Sequence, residues 1–256
     1  MIFDTHCHLN DEQLLNNIDE VIQRASEAGV DKFLVVGWDK ESSIKAVELA
    51  MQYECIYAAV GFHPCNIFDI NFDDLKLLKE LVNKSNKVVA IGEIGLDYYW
   101  NKSESERELQ KEFFIKQIEI ANELNLPISI HNRDAFSDCL NILKNNKPVA
   151  GGIMHCYAGS TESLKDVIDL GLMIGLGGVL TFTNARKTKE VCEDVSLDKL
   201  VVETDSPYLA PHPLRGTVNE PKNISFVVDE IARIKNMSKK HLTDILYNNS
   251  LKVFKL

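Results

Sequence analysis

Several features that mark other protein classes are missing from this sequence. No apolar run approaches the ~18 residues of a membrane span, and the N-terminus lacks the basic and apolar regions of a secretory signal. The 6 cysteines are dispersed through 256 residues without a CxxC pair, which does not suggest a disulfide framework. We therefore expect free thiols, no membrane association and a cytoplasmic location.

Positive charge is also in short supply. Lys and Arg number 28 against 38 Asp and Glu, so the formal net charge is −10. An acidic surface repels nucleic acid, whose nonspecific affinity depends on Lys and Arg meeting phosphates. A phosphate-bearing substrate would therefore need a local source of positive charge, and metal ions are an obvious candidate. No segment indicates an obligate protein partner.

Apolar strand patterns and helical patterns alternate along the whole chain. Hydrophobic residues make up 45% and charged residues 26%, which is typical of globular proteins. Eight short apolar runs predict strands at 2–3, 32–36, 56–60, 88–91, 127–130, 149–154, 172–175 and 200–202. Helical spacing predicts helices at about 14–28, 40–52, 103–124, 222–235 and 238–253. Ser103 and Glu106 form a candidate capping box for the third of these.

This alternation predicts one α/β domain over residues 1–256. Parallel strands need crossover connections and are covered on both faces. Eight strand–helix units in about 250 residues match a closed (β/α)8 TIM barrel. A doubly wound open sheet is the alternative.

Residues that can bind metal stand at the ends of the predicted strands. Five of the seven histidines lie at or just beyond a C-terminal strand end, namely His6, His8, His63, His131 and His155. Glu93 follows strand four, and Glu203 and Asp205 follow strand eight. Barrel active sites are built at that end, so these residues should converge on one mouth.

Imidazoles and carboxylates gathered at one mouth suit one or two divalent ions, with zinc, magnesium or manganese as candidates. Taken alone, the pair His6 and His8 is equally typical of an exposed strand end, and a single histidine is more often structural. Their shared position favours a metal site. Two ions ~3.5 to 4 Å apart need a bridging ligand, and Glu93 fits that role best.

Three acidic residues at or near the predicted ligand positions have further predicted roles. Asp205 can ligate one ion and accept a proton from water, whose pKa the metal lowers to ~7. Asp4 and Glu203 each lie two residues before a ligand and face the same way. We expect them to hold imidazole N–H groups. The alternative is a buried carboxylate with no catalytic part.

Predicted substrate contacts are His63 and Arg133. His63 can hold a phosphate oxygen, or it can be a structural histidine in its turn. Arg133 is a planar donor that can clamp phosphate, or it can form a salt bridge with Asp134 or Asp138. The aromatic run 98–100 can stack on a base or plug a loop, and glycines 175, 177 and 178 suggest either phosphate binding or tight packing.

Six segments make the chain recognisable. They are DTHCHL (4–9), VGFHP (60–64), GEIGLDYY (92–99), PISIHNRDA (127–135), MHCYAG (154–159) and ETDSPYL (203–209). In this order they resemble the motifs of the TatD family of metal-dependent deoxyribonucleases. The likeness extends through residues 219–221, and no presumed ligand departs from the pattern.

The resemblance implies an amidohydrolase-type TIM barrel with two metal sites. It implies one ion held by His6, His8, Glu93 and Asp205, and another held by Glu93, His131 and His155. It further implies phosphodiester hydrolysis, commonly as a 3′ to 5′ exonuclease on DNA.

Two other functions stay open at this point. One is a metal-dependent esterase or amidase of the same superfamily, such as a deacylase of aminoacyl-tRNA, in which the metal polarises a carbonyl. The other is a metal-binding scaffold without activity, which predicts a missing ligand or base, and none is missing. The lack of a long basic track argues mildly for a small or terminal substrate.

Overall fold

Eight parallel strands form one nearly closed barrel, as predicted. A computed structural model describes all 256 residues. The strands are β1 (Ile2–Cys7), β2 (Val30–Val36), β3 (Ile56–Val60), β4 (Val88–Asp97), β5 (Ile128–Arg133), β6 (Gly152–Met154), β7 (Leu172–Leu176) and β8 (Leu200–Val202). Each strand pairs in parallel with its sequence neighbours, in the order β1 to β8. This sequential order excludes the doubly wound open sheet.

Hydrogen bonds join β1 to β8 and to the loop that follows β8, and so bring the two ends of the sheet together. The Thr5 hydroxyl donates to the Val202 carbonyl at 2.9 Å, and the Asp205 N–H donates to the His6 carbonyl at 2.9 Å. The second of these bonds fixes the loop after β8 against the end of β1, where predicted ligands lie.

Ten helices cover the barrel. They are α1 (Glu12–Leu15), α2 (Ile18–Glu27), α3 (Lys40–Gln52), α4 (Lys76–Lys84), α5 (Glu104–Leu124), α6 (Phe136–Asn145), α7 (Leu164–Asp169), α8 (Arg186–Asp194), α9 (Ile224–Ile234) and α10 (Lys239–Phe254). The capping box at Ser103 and Glu106 is confirmed. The helix predicted at 14–28 is divided, because Asn17 leaves the helical conformation between α1 and α2. None of the helices combines the length and apolarity needed to cross a bilayer.

Buried strand residues divide into two layers. On β2, Phe33 and Val35 belong to the large cluster that includes the helices. Leu34 and Val36 belong to a second cluster with Phe254 of α10. Because successive strand side chains point to opposite faces, the second cluster lies inside the barrel. The interior is therefore a packed core that leaves one polar end for a site.

Strand β4 is longer than predicted, which places part of the site within it. The prediction ended it at residue 91, but pairing with β5 continues to Asp97 opposite Arg133. Gly95 has a φ of 146°, and a Cβ there would lie 1.9 Å from the His131 carbonyl oxygen. Only glycine permits this close approach. Glu93 and Asp97 therefore lie on one continuous strand.

Strand β6 is shorter than predicted. It covers Gly152–Met154 rather than 149–154. The chain before it makes a turn in which the Gly151 N–H donates to the Pro148 carbonyl at 3.1 Å. Val149 is exposed in that turn, so its apolar side chain does not extend the strand.

Candidate metal centre

All six predicted ligands converge at the C-terminal mouth of the barrel. His6, Glu93 and His131 lie within β1, β4 and β5. His8 and His155 directly follow β1 and β6, and Asp205 lies three residues beyond the end of β8. The carboxylate of Asp205 lies 3.4 Å from Nε2 of His8 and 3.9 Å from Nε2 of His6. We call His6, His8 and Asp205 the first ligand group, and His131 and His155 the second ligand group.

Glu93 lies between the two ligand groups. Its Oε2 is 3.6 Å from His6 Nε2 and 3.8 Å from His8 Nε2. Its Oε1 is 3.0 Å from His131 Nδ1 and 3.4 Å from His155 Nε2. Two atoms that each bind one tetrahedral zinc ion at ~2.1 Å lie about 3.4 Å apart. The observed distances therefore fit ligands arranged around a cation on either side of Glu93.

The tautomer of His8 supports a cation in the first ligand group. His8 Nδ1 lies 3.1 Å from the Val36 carbonyl, which only accepts, so Nδ1 donates. In the neutral ring, Nε2 then presents a lone pair toward the carboxylates of Asp205 and Glu93. Lone pairs facing carboxylate oxygens repel unless a proton or a metal cation lies between them. His6 Nε2 is likewise buried without a hydrogen-bond partner.

The imidazoles of the second ligand group are oriented in the same way. His155 Nδ1 donates to Glu203 Oε1 at 3.0 Å, and His131 Nε2 donates to Asp97 Oδ2 at 3.0 Å. The opposite nitrogen of each ring faces Glu93. Carboxylate partners of this kind fix the tautomer of a metal-binding histidine and increase its basicity.

The electrostatics of the mouth favour positive charge. Burial alone would raise the pKa of Glu93, but the surrounding imidazoles hold it well below its usual value. Burial lowers the pKa of His155, but the carboxylates of Glu203, Glu93 and Asp205 outweigh burial and raise it to about 10. Without an ion, the site therefore holds protons where an ion would otherwise balance its carboxylates.

Asp97 is a further site residue, and the pattern of predicted strand ends does not indicate it. Besides accepting from His131, its Oδ1 accepts the backbone N–H groups of Tyr99 and Trp100, each at 3.0 Å. Its spacing from Glu93 is a usable signal, because residues i and i+4 of a strand share a face. The signal was hidden because β4 was expected to end before both residues.

The two predicted supporting carboxylates have different contacts. Glu203 holds the ring N–H of His155, as expected. Asp4 contacts no imidazole nitrogen. It accepts from the backbone N–H and the hydroxyl of Thr204 at 2.9 and 2.5 Å, and from the His6 backbone N–H at 3.4 Å. Asp4 therefore links β1 to the segment that carries Asp205.

His63 lies at the mouth beside the second ligand group. Its Nδ1 accepts the Cys65 N–H at 3.1 Å, so in the neutral ring Nε2 carries the proton. Nε2 lies 4.0 Å from Glu93 Oε1. Burial and the neighbouring His131 lower the pKa of His63 to about 3. His63 is therefore a neutral hydrogen-bond donor at the mouth.

Arg133 also reaches the mouth and forms neither of the alternative salt bridges. Asp138 pairs instead with Lys111 at 2.9 Å and accepts from the Tyr98 hydroxyl at 2.7 Å. The Arg133 guanidinium stacks on Tyr99, with its central carbon 3.8 Å from the ring centroid.

The three glycines around the end of β7 are explained mainly by packing. A Cβ at Gly175 would lie 2.6 Å from Glu203 Oε2, and one at Gly178 would lie 2.0 Å from the Leu209 carbonyl oxygen. These glycines make room for the carboxylate that holds His155 and for the loop after β8. The mouth itself is a cavity of about 770 Å³.

Comparison with known proteins identifies relatives along the whole chain. A family model described as TatD related DNase matches residues 3–255. An uncharacterized metal-dependent hydrolase of Bacillus subtilis, YabD, is 45% identical over 257 residues, covering 100% of each chain. The crystal structure of YJJV, a TatD homolog from Escherichia coli, matches with a TM-score of 0.94 and 29% identity, covering 100% of this chain and 98% of that one.

A more distant structure shares the fold alone. A variant of an organophosphorus hydrolase from Deinococcus radiodurans matches with a TM-score of 0.68 at 10% identity, covering 99% of this chain and 92% of that chain. The barrel architecture is therefore common to both proteins.

Proposed function

This chain belongs to the TatD family of metal-dependent hydrolases, and from that premise we propose that it is a deoxyribonuclease that cleaves phosphodiester bonds with two divalent ions. The position of Glu93 carries the proposal. Its two oxygens face two separate groups of imidazole nitrogens. A carboxylate in this position would hold two divalent ions, one beside each group of imidazoles.

Charge balance supports two ions. Four carboxylates belong to the site, namely Glu93, Asp97, Glu203 and Asp205. Their formal charge is equal in size and opposite in sign to that of two divalent cations, so two ions would balance the carboxylates in place of the protons on the imidazoles. When bound, divalent ions supply Lewis acidity toward phosphate oxygens and make hydroxide available near neutral pH.

We assign the role of proton acceptor to Asp205. Its side chain is 15% exposed, compared with 6% for Glu93 and 0% for Glu203. Burial would raise the pKa of Asp205, but the imidazoles of His8, His155 and His6 beside it lower this pKa. Asp205 is therefore ionised at neutral pH and accessible to a water molecule at the mouth.

His63 and Arg133 would bind the substrate phosphates. The Nε2–H of His63 is a fixed neutral donor near Glu93, suited to a phosphate oxygen beside the second ligand group. Arg133 adds a planar cation without a carboxylate partner. The cavity volume lies in the range of small-ligand pockets, which favours a strand end over an internal duplex site. The family resemblance suggests removal of nucleotides from 3′ to 5′.

The test is hydrolysis by metal-loaded protein of four substrates: a labelled single strand, a duplex, a nucleotide monoester and an acyl ester. We expect stepwise loss of 3′ nucleotides from the single strand. Asp205→Asn should reduce this activity by roughly 10² or more, and Asp194→Asn, which changes an exposed carboxylate at the end of α8, should preserve it. Cleavage of the acyl ester alone would assign the chain to the esterases instead, and no cleavage of either DNA would refute the proposal.

A further inference from the structure

We propose that Tyr99, Trp100 and Arg133 form a platform that binds one unpaired nucleobase and the phosphate beside it. This inference rests on the proposed function and deepens it, because it names the part of the substrate that the mouth selects. We call these three residues the aromatic platform.

The aromatic platform is exposed at the rim of the mouth. Trp100 is 67% exposed, and it lines the mouth cavity together with Arg133. The Tyr99 and Trp100 rings meet edge to face with centroids 4.8 Å apart. The Arg133 guanidinium lies over both rings, at 3.8 Å from Tyr99 and 5.8 Å from Trp100. An indole this exposed does not serve as a plug of the core.

The preceding aromatic residue shows the contrast. The Tyr98 hydroxyl donates to Asp138 at 2.7 Å, and the Arg107 guanidinium lies 4.4 Å from its ring centroid. Tyr98 also packs against the hydrophobic core. Its contacts are therefore satisfied within the fold, whereas a face of Trp100 is open to a ligand.

Arg133 supplies the anion-binding half of the aromatic platform. It is the only Lys or Arg among the residues that line the mouth, in a chain whose net charge is −10. Nearby Asp138 is occupied by Lys111 and Tyr98. A planar guanidinium without a carboxylate partner can donate two parallel hydrogen bonds to one phosphate.

Asp97 fixes the aromatic platform relative to the metal centre. Its Oδ1 accepts the backbone N–H groups of Tyr99 and Trp100, while its Oδ2 accepts the ring N–H of His131. One carboxylate therefore sets the position of both the platform and a ligand. Such preorganisation reduces the ordering that binding would otherwise require.

The geometry selects an unpaired base. Stacking on an aromatic ring tolerates any base, because every base has a flat π face. A base inside a duplex is already stacked and is not available to an indole at the rim. A single cation restricts the phosphate contact to one neighbouring group. Together these features match the unpaired end of a strand.

Binding of two small ligands tests the platform separately from hydrolysis. Thymidine 3′,5′-bisphosphate carries a base and phosphates, and its abasic deoxyribose analogue carries the phosphates alone. Neither contains a phosphodiester bond, so binding is measured on the metal-loaded protein whether or not the proposed nuclease activity exists. Calorimetric titration gives the Kd of each ligand for the wild type and for Trp100→Ala, Trp100→Phe and Arg133→Ala. Phe226→Ala is the matched control, since Phe226 is 37% exposed on α9 and does not line the mouth.

The wild type should bind the thymidine ligand roughly 5- to 100-fold more tightly than the abasic one, the range of one stacked base. Trp100→Ala should reduce this ratio to about one, Trp100→Phe should retain part of it, and Phe226→Ala should preserve it. Arg133→Ala should weaken both ligands. Equal wild-type affinity for the two ligands, or an unchanged ratio in Trp100→Ala, would overturn the proposal.

Discussion

The two ligand groups that flank Glu93 are supported by different partners. In the first group the outer ring nitrogens meet neutral partners: His8 donates to the Val36 carbonyl and His6 hydrogen-bonds the Ser129 hydroxyl. In the second group both outer nitrogens meet carboxylates: His131 donates to Asp97 and His155 donates to Glu203.

This difference suggests a division of labour within one centre. A carboxylate partner makes an imidazole more basic and a stronger ligand, so we expect the second group to hold an ion more tightly than the first. The first group instead contains Asp205, which is more exposed than Glu93, Asp97 and Glu203. The Asp205 carboxylate could therefore both coordinate an ion and accept a proton. We expect the second group to control metal affinity and the first group to control the chemical step.

Removal of metal should have the largest effect, because both groups depend on it. Dialysis against a strong chelator should abolish hydrolysis, and added Mn²⁺, Co²⁺, Zn²⁺ or Mg²⁺ should restore it to different extents. The measurement is the rate of substrate hydrolysis together with metal content. Full activity in protein verified as metal-free would show that neither ligand group needs an ion for hydrolysis, and would rule out the proposed mechanism.

Asp205→Asn tests the reactive role of the first group. The substitution keeps the shape and one coordinating oxygen but removes the basicity. We expect kcat to fall by roughly 10² or more, as for other lost general bases, with a smaller change in KM. Steady-state kinetics measure this effect, and circular dichroism and metal analysis check folding and occupancy. A kcat near that of the wild type would move the proton acceptor elsewhere, with Glu203 as the next candidate.

Asp97→Asn and Glu203→Gln test the retentive role of the second group. Each should weaken the affinity of one ion by roughly 10- to 100-fold, the range for partners that orient metal ligands. Ser129→Ala, which removes the neutral partner of His6, should have a smaller effect. Competition with a chromogenic chelator gives these affinities. Equal losses in all three variants would remove the distinction between the groups.

Proton release should show the smallest difference between the groups. The pKa of His155 is raised to about 10, so below that pH its ring holds a proton that a cation must displace. Metal affinity should therefore rise with pH up to about 10, and binding at neutral pH should release protons. Glu203→Gln removes the carboxylate that most strongly raises this pKa. The variant should therefore release fewer protons than the wild type when it binds metal. Calorimetry in buffers of different ionisation enthalpy counts the protons, and equal release by both proteins would contradict this account.

The positions of the six ligands could be predicted from sequence because they depend on one rule. Parallel strands of a barrel end at the same mouth, so polar residues such as His6 and His155 could be brought together without coordinates. The length of β4 could not be predicted in this way. Gly92 and Gly95 interrupt the apolar pattern, and Gly95 continues the strand only because its backbone lies close to β5.

The partners of the ligands could not be predicted in the same way. The contact of Asp97 with His131 depends on how far β4 extends, and the contact of Asp4 with Thr204 depends on how β8 meets β1. Both contacts join segments that are far apart in the sequence, and the hydrophobic periodicity of one segment does not predict its contacts with another. The fixed tautomer of His63 likewise depends on the turn that places the Cys65 N–H against Nδ1.

Metal content in Glu93→Gln tests the central claim most directly, because the account places this carboxylate between two ions. Inductively coupled plasma mass spectrometry should find about two metal ions per chain in the wild type. His155→Ala should lose mainly the ion of the second ligand group, whereas Glu93→Gln should lose occupancy on both sides. Folding of each variant is checked by thermal unfolding. Two ions per chain in Glu93→Gln would contradict the bridge, and with it the comparison of the two ligand groups.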